Sequence, residues 1–187
     1  MFNLSTQEVV LSIEKSPVNW KNKTYYQEYT SFFGNSMLVK IKNDLKNLKM
    51  VKLEGQENKA RERADYNELL CKELRIFFSN ENITSILEKK FNTKLKFDSL
   101  DVWHDYNNYD NPPHLDNDKI KLHLQIYLGD EKNIGTSLYS SDLRESIFHT
   151  FNYNCNSGYA LLHNEHSWHG LDSVIKNDRK SIYARYY

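Results

Sequence analysis

The chain has 187 residues and a mass of 22.3 kDa, which is most simply one domain with enough length to bury a core. Its 25 Lys and Arg balance its 25 Asp and Glu, so the formal net charge is zero. This balance argues against a nucleic-acid binder that works by bulk electrostatics, because phosphate neutralisation requires a clustered cationic surface.

Targeting and membrane signals are missing from the sequence. No apolar signal segment follows Met1, and no stretch reaches the length of a membrane span. The two cysteines, Cys71 and Cys155, form no CxxC pair, which fits a reducing compartment. We therefore expect a soluble, cytoplasmic protein without membrane partners. The abundance of Asn and Lys and the scarcity of Gly and Pro would suit an AT-rich genome, microbial or viral.

The first half of the chain is predicted to be mostly helical. The segments 35–53 and 58–80 place apolar residues at spacings of three to four, as amphipathic helices require. In the second segment, the apolar side is expected to comprise Leu69, Leu70, Leu74, Ile76 and Phe77. A shorter helix is expected at 82–91, whereas EVVLSI at 8–13 could form a strand.

From residue 94 the pattern changes to an alternation of apolar and polar residues, which predicts short strands separated by turns. The predicted strands lie at 94–103, 121–128, 135–139, 148–153, 158–163 and 179–187. The expected fold class is mainly β with supporting helices. We predict a single domain, 1–187, in which residues 1–93 are mostly helical support for a β sandwich or barrel formed by residues 94–187.

The segment PPHLDND, residues 112–118, contains the first chemical signal. Because side chains alternate along an extended segment, His114 and Asp116 can point to the same side. Fe(II) accepts an imidazole and a carboxylate together, and a second imidazole would complete a three-ligand face that leaves three octahedral positions open. His169 is a candidate for that ligand. By itself, the pair also fits a turn with an Asx-type hydrogen bond.

A second signal follows His169 after ten residues. A turn separates Arg179 from His169, so we expect two adjacent antiparallel strands to present both side chains on one wall of the barrel. A guanidinium near a metal suits a carboxylate cosubstrate because its fork binds both oxygens. Ser181 would add a hydroxyl on the same face. Alone, Arg179 also fits a surface charge at the start of a strand.

Together, the HxD pair, a distal His and R-x-S on short strands resemble the iron(II)- and 2-oxoglutarate-dependent oxygenase superfamily, in its prolyl-hydroxylase-like branch, over roughly residues 98–187. The resemblance implies a jelly-roll core, the double-stranded β-helix, with the N-terminal helices packed on it. It also implies that His114, Asp116 and His169 bind Fe(II), and that Arg179 pairs with the distal carboxylate of 2-oxoglutarate.

The strand IYLGD resembles the family strand in which a Tyr before Leu-Asn helps to hold 2-oxoglutarate, which places Tyr127 in that role. By alternation Tyr127 shares a face with His123 and Gln125, and the leucine-rich opposite face is expected to pack against the helices. Tyr127 also fits ordinary half-buried strand packing.

Three aromatic residues before the HxD pair are candidates for a substrate cleft: Trp103, Tyr106 and Tyr109. Prolyl hydroxylases usually have a glycine-rich loop at this point, whereas WHDYNNYDNPPH has aromatic residues and no glycine.

The remaining histidines are weaker candidates for metal ligands. On a helix, His163, His166 and His169 would share one face and suggest zinc, but the apolar run before them and the lack of a nearby cysteine argue against this. We interpret the others as satisfied strand or loop histidines, namely His104, His123 and His149.

The resemblance implies a dioxygenase that couples substrate oxidation to decarboxylation of 2-oxoglutarate to succinate and CO2. Asp116 favours hydroxylation over halogenation, because a halide would need its coordination site. The IYL strand favours a protein or peptide side chain as the substrate, with a small metabolite or a nucleobase as alternatives. Two other classes stay open: a non-catalytic jelly-roll binding module, and a cupin-like metalloenzyme that does not use 2-oxoglutarate.

Overall fold

The structure is a computed structural model that describes residues 6–55 and 59–187. In chain order its elements are α1 (Thr6–Lys15), β1 (Val18–Lys21), β2 (Thr24–Tyr29), α2 (Asn35–Leu45), β3 (Met50–Val51), β4 (Arg61–Ala64), α3 (Leu69–Phe78), α4 (Glu81–Phe91), β5 (Phe97–Asp105), β6 (Leu122–Tyr127), β7 (Ser137–Tyr139), a 3-10 turn (Arg144–Ser146), β8 (Ile147–Thr150), β9 (Gly158–Leu162), β10 (Trp168–Gly170) and β11 (Arg179–Tyr186). None of the described helices has the length and apolar character needed to cross a membrane.

Within the described ranges the strands form two antiparallel sheets. The larger has the order β1-β2-β9-β6-β11-β5-β4-β3, and the smaller has the order β10-β7-β8. Strands that are distant in sequence are neighbours in both sheets, as jelly-roll connections require. The predicted fold class, a jelly-roll core with supporting helices, is confirmed.

Strand β6 shows how the larger sheet is covered on both faces. Leu122, Leu124 and Ile126 are completely buried in the core that the helices share with the sheet, as their alternation predicts. Tyr127 points the other way and packs with Leu138 of β7. The smaller sheet therefore covers the inner face, and polar side chains on that face are enclosed between the two sheets.

Two secondary-structure predictions for the first half are wrong at the N-terminal helices. EVVLSI belongs to α1, where Val9 and Ile13 lie one turn apart and are both fully buried. The predicted helix 35–53 ends at Leu45, and Met50–Val51 forms strand β3 on the edge of the larger sheet. The buried contacts of Val9 and Ile13, and the pairing of Met50–Val51 with β4, override local patterns that fit more than one conformation.

The predicted helix 58–80, whose first residue lies outside the described ranges, begins only at Leu69. Before it, β4 pairs with β5 and brings Arg61 beside Asp105. The buried face of α3 consists of Leu70, Cys71, Leu74, Phe77 and Phe78. The sequence pattern predicts Leu69 and Ile76 on this face, but they are 67% and 74% exposed. They fall outside the buried stripe, whose residues follow Leu70 at intervals of four, seven and eight.

The first half also contributes a hairpin that the sequence analysis did not predict. β1 and β2 are joined at Asn22 and Lys23, which have φ angles of 49° and 61°. Two consecutive residues with positive φ are typical of the type I′ turn that suits the twist of a hairpin. β2 pairs with β9, so the first half extends the larger sheet as well as covering it.

Candidate metal centre

A pair of backbone hydrogen bonds joins the HxD loop to strand β10. The N–H of His114 donates to the carbonyl of His169 at 2.9 Å, and the N–H of His169 donates to the carbonyl of His114 at 3.0 Å. This isolated bridge holds the two imidazole rings with their centroids 4.4 Å apart. The fold therefore brings together two histidines that are far apart in the sequence.

Asp116 completes a three-residue group with these histidines. Its Oδ1 lies 3.6 Å from Nε2 of His114 and 3.8 Å from Nε2 of His169. The ligand atoms of all three residues lie within 4.8 Å of one another. Two imidazoles and one carboxylate on one side of an open cavity match the donor set of a non-haem Fe(II) site.

The outer ring nitrogens determine which way the lone pairs point. Nδ1 of His114 donates to the carbonyl of Pro112 at 2.9 Å, and Nδ1 of His169 donates to the carbonyl of Ser167 at 3.0 Å. A carbonyl oxygen only accepts, so each neutral ring carries its proton on Nδ1 and its lone pair on Nε2. This is the second-sphere arrangement that usually orients a metal-binding histidine.

The electrostatics of the group also suit a cation. Burial, together with the neighbouring His114, lowers the pKa of His169 to about 3. Burial opposes ionisation of Asp116, but its close contacts with His114 and His123 outweigh this effect and lower the pKa of that carboxyl. Near neutral pH His169 is therefore neutral and Asp116 is a carboxylate, which are the protonation states that metal binding needs.

These buried histidines predict how stability depends on pH. Burial lowers the pKa of His123 to about 4, and that of His163 and of His169 to about 3, below the value of about 6.5 expected in the unfolded chain. As the pH falls below about 6.5, these histidines become protonated in the unfolded chain but stay neutral in the folded protein. We expect the free energy of unfolding of the metal-free protein to decrease by up to about 1.4 kcal/mol per pH unit for each group.

Urea unfolding at several pH values between about 6.5 and 4 measures this effect. His163→Gln removes one of the three groups and should flatten the profile, whereas His166→Gln, at a half-buried histidine of the same loop, should leave its slope unchanged. A free energy of unfolding that stays constant over this range would show that the three imidazoles are not held neutral by burial.

Gly170 sets the distance between β10 and the HxD loop. A Cβ at this position would lie 2.6 Å from the carbonyl oxygen of Asn111 and 2.7 Å from that of Pro112. We expect Gly170→Ala to push the loop away from His169, to weaken Fe(II) binding about 10- to 100-fold and to destabilise the fold by about 1–3 kcal/mol.

Metal titration of both a test and a control variant checks this expectation. Gly55 has a positive φ of 72° and nothing within 4 Å of its added Cβ, so Gly55→Ala should cost about 1 kcal/mol of backbone strain without changing metal affinity. Wild-type Fe(II) affinity in Gly170→Ala would mean that the close approach does not position the ligands.

Arg179 lines the same pocket as the three-residue group. It is 2% exposed, and its Nε and Nη1 atoms have no hydrogen-bond partner within the described ranges. Its nearest acid is Asp105, whose Oδ2 lies 3.8 Å from Nε. Leaving buried guanidinium donors unsatisfied is costly, so the pocket has the chemistry of a receptor for a carboxylate.

The predicted placement of Arg179 beside His169 on adjacent strands is wrong. His169 lies in β10, which pairs with β7 of the smaller sheet, whereas Arg179 begins β11, which pairs with β5 and β6 of the larger sheet. The connection at 171–178 crosses between the sheets, because β10 ends after Gly170. The two side chains therefore line one pocket from opposite walls.

Tyr127 and Ser181 lie one step behind the pocket lining. The hydroxyl of Tyr127 donates to Oγ1 of Thr136 at 3.1 Å, and Oγ of Ser181 accepts from Nε2 of Gln125 at 3.0 Å. Thr136 and Gln125 themselves line the pocket. The ring of Tyr127 also lies 5.5 Å from the guanidinium carbon of Arg179, within the range of a cation–π contact.

Two of the three aromatic candidates for the substrate cleft line the pocket, and the third does not. Trp103 and Tyr109 line the pocket, where their rings lie 4.6 and 4.1 Å from the guanidinium of Arg61. Tyr106 does not line it. Its hydroxyl donates to Glu62 at 2.5 Å and its ring stacks on His104 with centroids 4.0 Å apart.

Sequence reasoning missed Tyr183, whose hydroxyl donates to Oδ2 of Asp116 at 2.7 Å. The signal was available, because Tyr183 is two residues after Ser181 and four after Arg179 on a strand with period two. It also missed Thr136 and Tyr159, which line the pocket together with Gln125, the residue that alternation had placed on the inner face.

The other histidines do not form the helical zinc cluster that the sequence analysis rejected. His163 follows the end of β9, and the half-buried His166 lies in the loop before β10. His123 is a strand histidine with partners on both ring nitrogens, His163 and Tyr159, as predicted, and it also lies 3.3 Å from Asp116.

Comparison with known proteins supports the fold. No protein-family model matches the chain, and no curated protein matches its sequence. An oxidoreductase of the 2OG-Fe(II) oxygenase family from Burkholderia pseudomallei has a TM-score of 0.68 at 12% identity, with 99% of this chain and 91% of that one covered.

Two further structures show the range of similar proteins. The viral collagen prolyl hydroxylase of Paramecium Bursaria Chlorella virus-1 has a TM-score of 0.58 at 12% identity, covering 90% of this chain and 92% of that one. HygX from Streptomyces hygroscopicus, with nickel, 2-oxoglutarate and hygromycin B bound, has a TM-score of 0.59 at 12% identity, covering 86% and 82%. The chain therefore has the fold of the 2OG-Fe(II) oxygenases.

Proposed function

We propose that this protein is an iron(II)- and 2-oxoglutarate-dependent dioxygenase. The observation that carries the proposal is a buried arginine, Arg179, with unpaired donors, in the same pocket as two histidines and a carboxylate. Either feature has an ordinary structural explanation alone. Together they match an enzyme that needs a metal and a dicarboxylate within one cavity.

The residues fit the implied cofactor and cosubstrate. His114 and His169 would bind Fe(II) through Nε2, and Asp116 would bind it through Oδ1. Arg179 would pair with the distal carboxylate of 2-oxoglutarate, which would satisfy Nε and Nη1. Bound iron and 2-oxoglutarate would supply the oxidising chemistry, in which O2 is consumed and 2-oxoglutarate is converted to succinate and CO2.

The other pocket residues have supporting roles in this proposal. Tyr127 and Ser181 would hold Thr136 and Gln125 in place against the cosubstrate. Tyr183 would keep the carboxylate of Asp116 oriented through its hydrogen bond. Such partners commonly contribute 10- to 100-fold to metal affinity or activity.

For the substrate, we propose a protein or peptide side chain, which the enzyme would hydroxylate. Trp103 and Tyr109 present aromatic surface at the pocket, and the similar folds include viral and bacterial prolyl hydroxylases. A small-molecule substrate is the second candidate, because another similar structure, that of HygX, has hygromycin B bound.

Product analysis tests the function. The iron-loaded protein should form succinate from 2-oxoglutarate while consuming O2, and a peptide substrate should increase this rate and gain one oxygen atom by mass spectrometry. A small-molecule hydroxylase would respond to metabolites and not to peptides. A folded protein that binds iron but forms no succinate with either kind of substrate would contradict the proposal and favour a cupin-like enzyme or a binding module.

A further inference from the structure

Asp116 faces a second pair of histidines on the side opposite the first. Its Oδ2 lies 3.3 Å from Nδ1 of His123 in β6 and 3.4 Å from Nε2 of His163 after β9. These two nitrogens are 2.7 Å apart. Both histidines are buried, with side chains 0% and 8% exposed. The carboxylate is therefore shared between two groups, each with two histidines.

The outer nitrogens of the second pair are occupied as donors. Nε2 of His123 lies 3.1 Å from the hydroxyl of Tyr159, which gives its own proton to Oε1 of Gln125 at 2.8 Å. The Tyr159 oxygen can therefore only accept from His123. This places the proton of neutral His123 on Nε2 and its lone pair on Nδ1, facing His163.

The same reasoning applies to His163. Its Nδ1 lies 3.5 Å from Oγ of Ser167, whose proton is donated to the carbonyl of Asn164 at 2.8 Å. Ser167 is thus oriented to accept from Nδ1, which leaves the lone pair of His163 on Nε2. Two imidazole lone pairs and an oxygen of Asp116 then converge on one point with no proton between them, an arrangement that attracts a cation.

Two of the three donor separations are those of a small tetrahedral ion, whereas the third, 2.7 Å between Nδ1 of His123 and Nε2 of His163, is shorter and would have to widen by about 0.6 Å around an ion. Zinc bonds to His nitrogen and Asp oxygen are about 2.0–2.2 Å long, so a tetrahedral ion separates its donors by roughly 3.3–3.4 Å. The two separations that involve Asp116 are 3.3 and 3.4 Å. In the first group the separations are longer, 3.6 and 3.8 Å.

A separate surface cleft leads to this second group. It is lined by Asp116 and His163 and carries two further acids, Asp118 and Glu165. Carboxylates at the mouth of a cleft raise the local concentration of cations. An ion can therefore reach His163 without passing through the pocket that contains Arg179.

The charge balance allows one ion at a time. Asp116 is the only carboxylate in either group, and the other members of each are histidines, which contribute no negative charge. Two doubly charged ions held a few ångströms apart by one carboxylate would leave a large net positive charge in a largely buried site, which is strongly unfavourable.

We propose that His123, His163 and Oδ2 of Asp116 form a second divalent-cation site, of the zinc type, that competes with the first group for Asp116. An ion in this site holds the carboxylate that His114 and His169 need. If the protein is the proposed oxygenase, zinc would therefore inhibit it by occupying this neighbouring position and not by replacing iron. The site is a property of this chain's donors and does not require the proposed oxygenase activity.

Cobalt(II) binding tests the site, because tetrahedral Co(II) absorbs visible light far more strongly than octahedral Co(II) and so reports the geometry. The His114→Ala variant disables the first group while leaving the second intact. We expect this variant to bind one equivalent of Co(II) with intense visible bands. Adding His163→Gln should remove the bands and weaken binding more than about 100-fold, whereas adding His166→Gln in the same loop should change neither.

Three results would overturn the proposal: no Co(II) binding by folded His114→Ala, weak bands of the octahedral type, or intense bands that survive His163→Gln. Circular dichroism checks that each variant is folded. If a double variant fails to fold, anomalous diffraction from zinc-soaked wild-type crystals decides instead. A peak between His123 and His163 supports the site, and its absence contradicts it. None of these readouts depends on 2-oxoglutarate turnover, so the site can fail while the proposed function stands, and the reverse.

Discussion

Replacing Asp116 with alanine is expected to abolish 2-oxoglutarate turnover while leaving the fold in place. The side chain supplies the anionic ligand of the proposed iron site through Oδ1, and a bound metal contributes several kcal/mol to the reactions it promotes. We therefore expect the rate of succinate formation to fall at least about a thousandfold. Succinate release at saturating iron and 2-oxoglutarate measures it.

The neighbouring residue provides a matched control. Leu115 lies between the two proposed ligands and is 36% exposed, so Leu115→Ala alters the same loop without removing a ligand and should keep near wild-type turnover. Retention of turnover in a folded Asp116→Ala variant would show that the ligand assignment is wrong.

Replacing Arg179 with alanine is expected to raise the concentration of 2-oxoglutarate needed for turnover. The buried guanidinium has free Nε and Nη1 donors, and truncating one partner of a buried charged pair commonly costs about 2–5 kcal/mol. This corresponds to a KM for 2-oxoglutarate raised roughly 30- to 5,000-fold. Iron affinity without 2-oxoglutarate should change little, because Arg179 does not belong to the three-residue group.

Arg144 is a suitable control for the loss of an arginine. It pairs with Asp110 at 2.6 Å at the surface, where its side chain is 34% exposed, so Arg144→Ala should leave the KM for 2-oxoglutarate unchanged. An Arg179→Ala variant with a wild-type KM for 2-oxoglutarate would show that Arg179 does not bind the carboxylate of 2-oxoglutarate. A lower kcat with an unchanged KM would contradict it in the same way.

The parts of the site that were predictable are those that alternation determines. On β6 the period of two assigns Leu124 to the helix-covered face and Gln125 and Tyr127 to the inner face, and the structure agrees. The same rule places His114 and Asp116 on one side of their loop. It also predicts that Tyr183 points inward with Arg179, although Tyr183 is not among the site residues predicted from the sequence.

Pairings between distant segments could not be predicted in this way. Nothing local to His114 indicates that its backbone pairs with His169, since this bridge depends on how the two sheets close. Arg61 resembles a charged residue on a helix until β4 pairs with β5 and brings it to Asp105. The role of His123 likewise depends on the position of His163, which directly follows β9, the strand paired with β6.

Anaerobic titration of the metal-free protein with Fe(II) and 2-oxoglutarate tests most directly the proposal that one pocket binds Fe(II) and 2-oxoglutarate together. Iron-chelated 2-oxoglutarate has a visible charge-transfer band. We expect the wild-type protein to develop this band, His169→Ala to lose it, and Arg179→Ala to need more 2-oxoglutarate to form it. Iron binding without the band would contradict the account in favour of a cupin-like site, and a folded protein that binds no iron would leave these residues with structural roles alone.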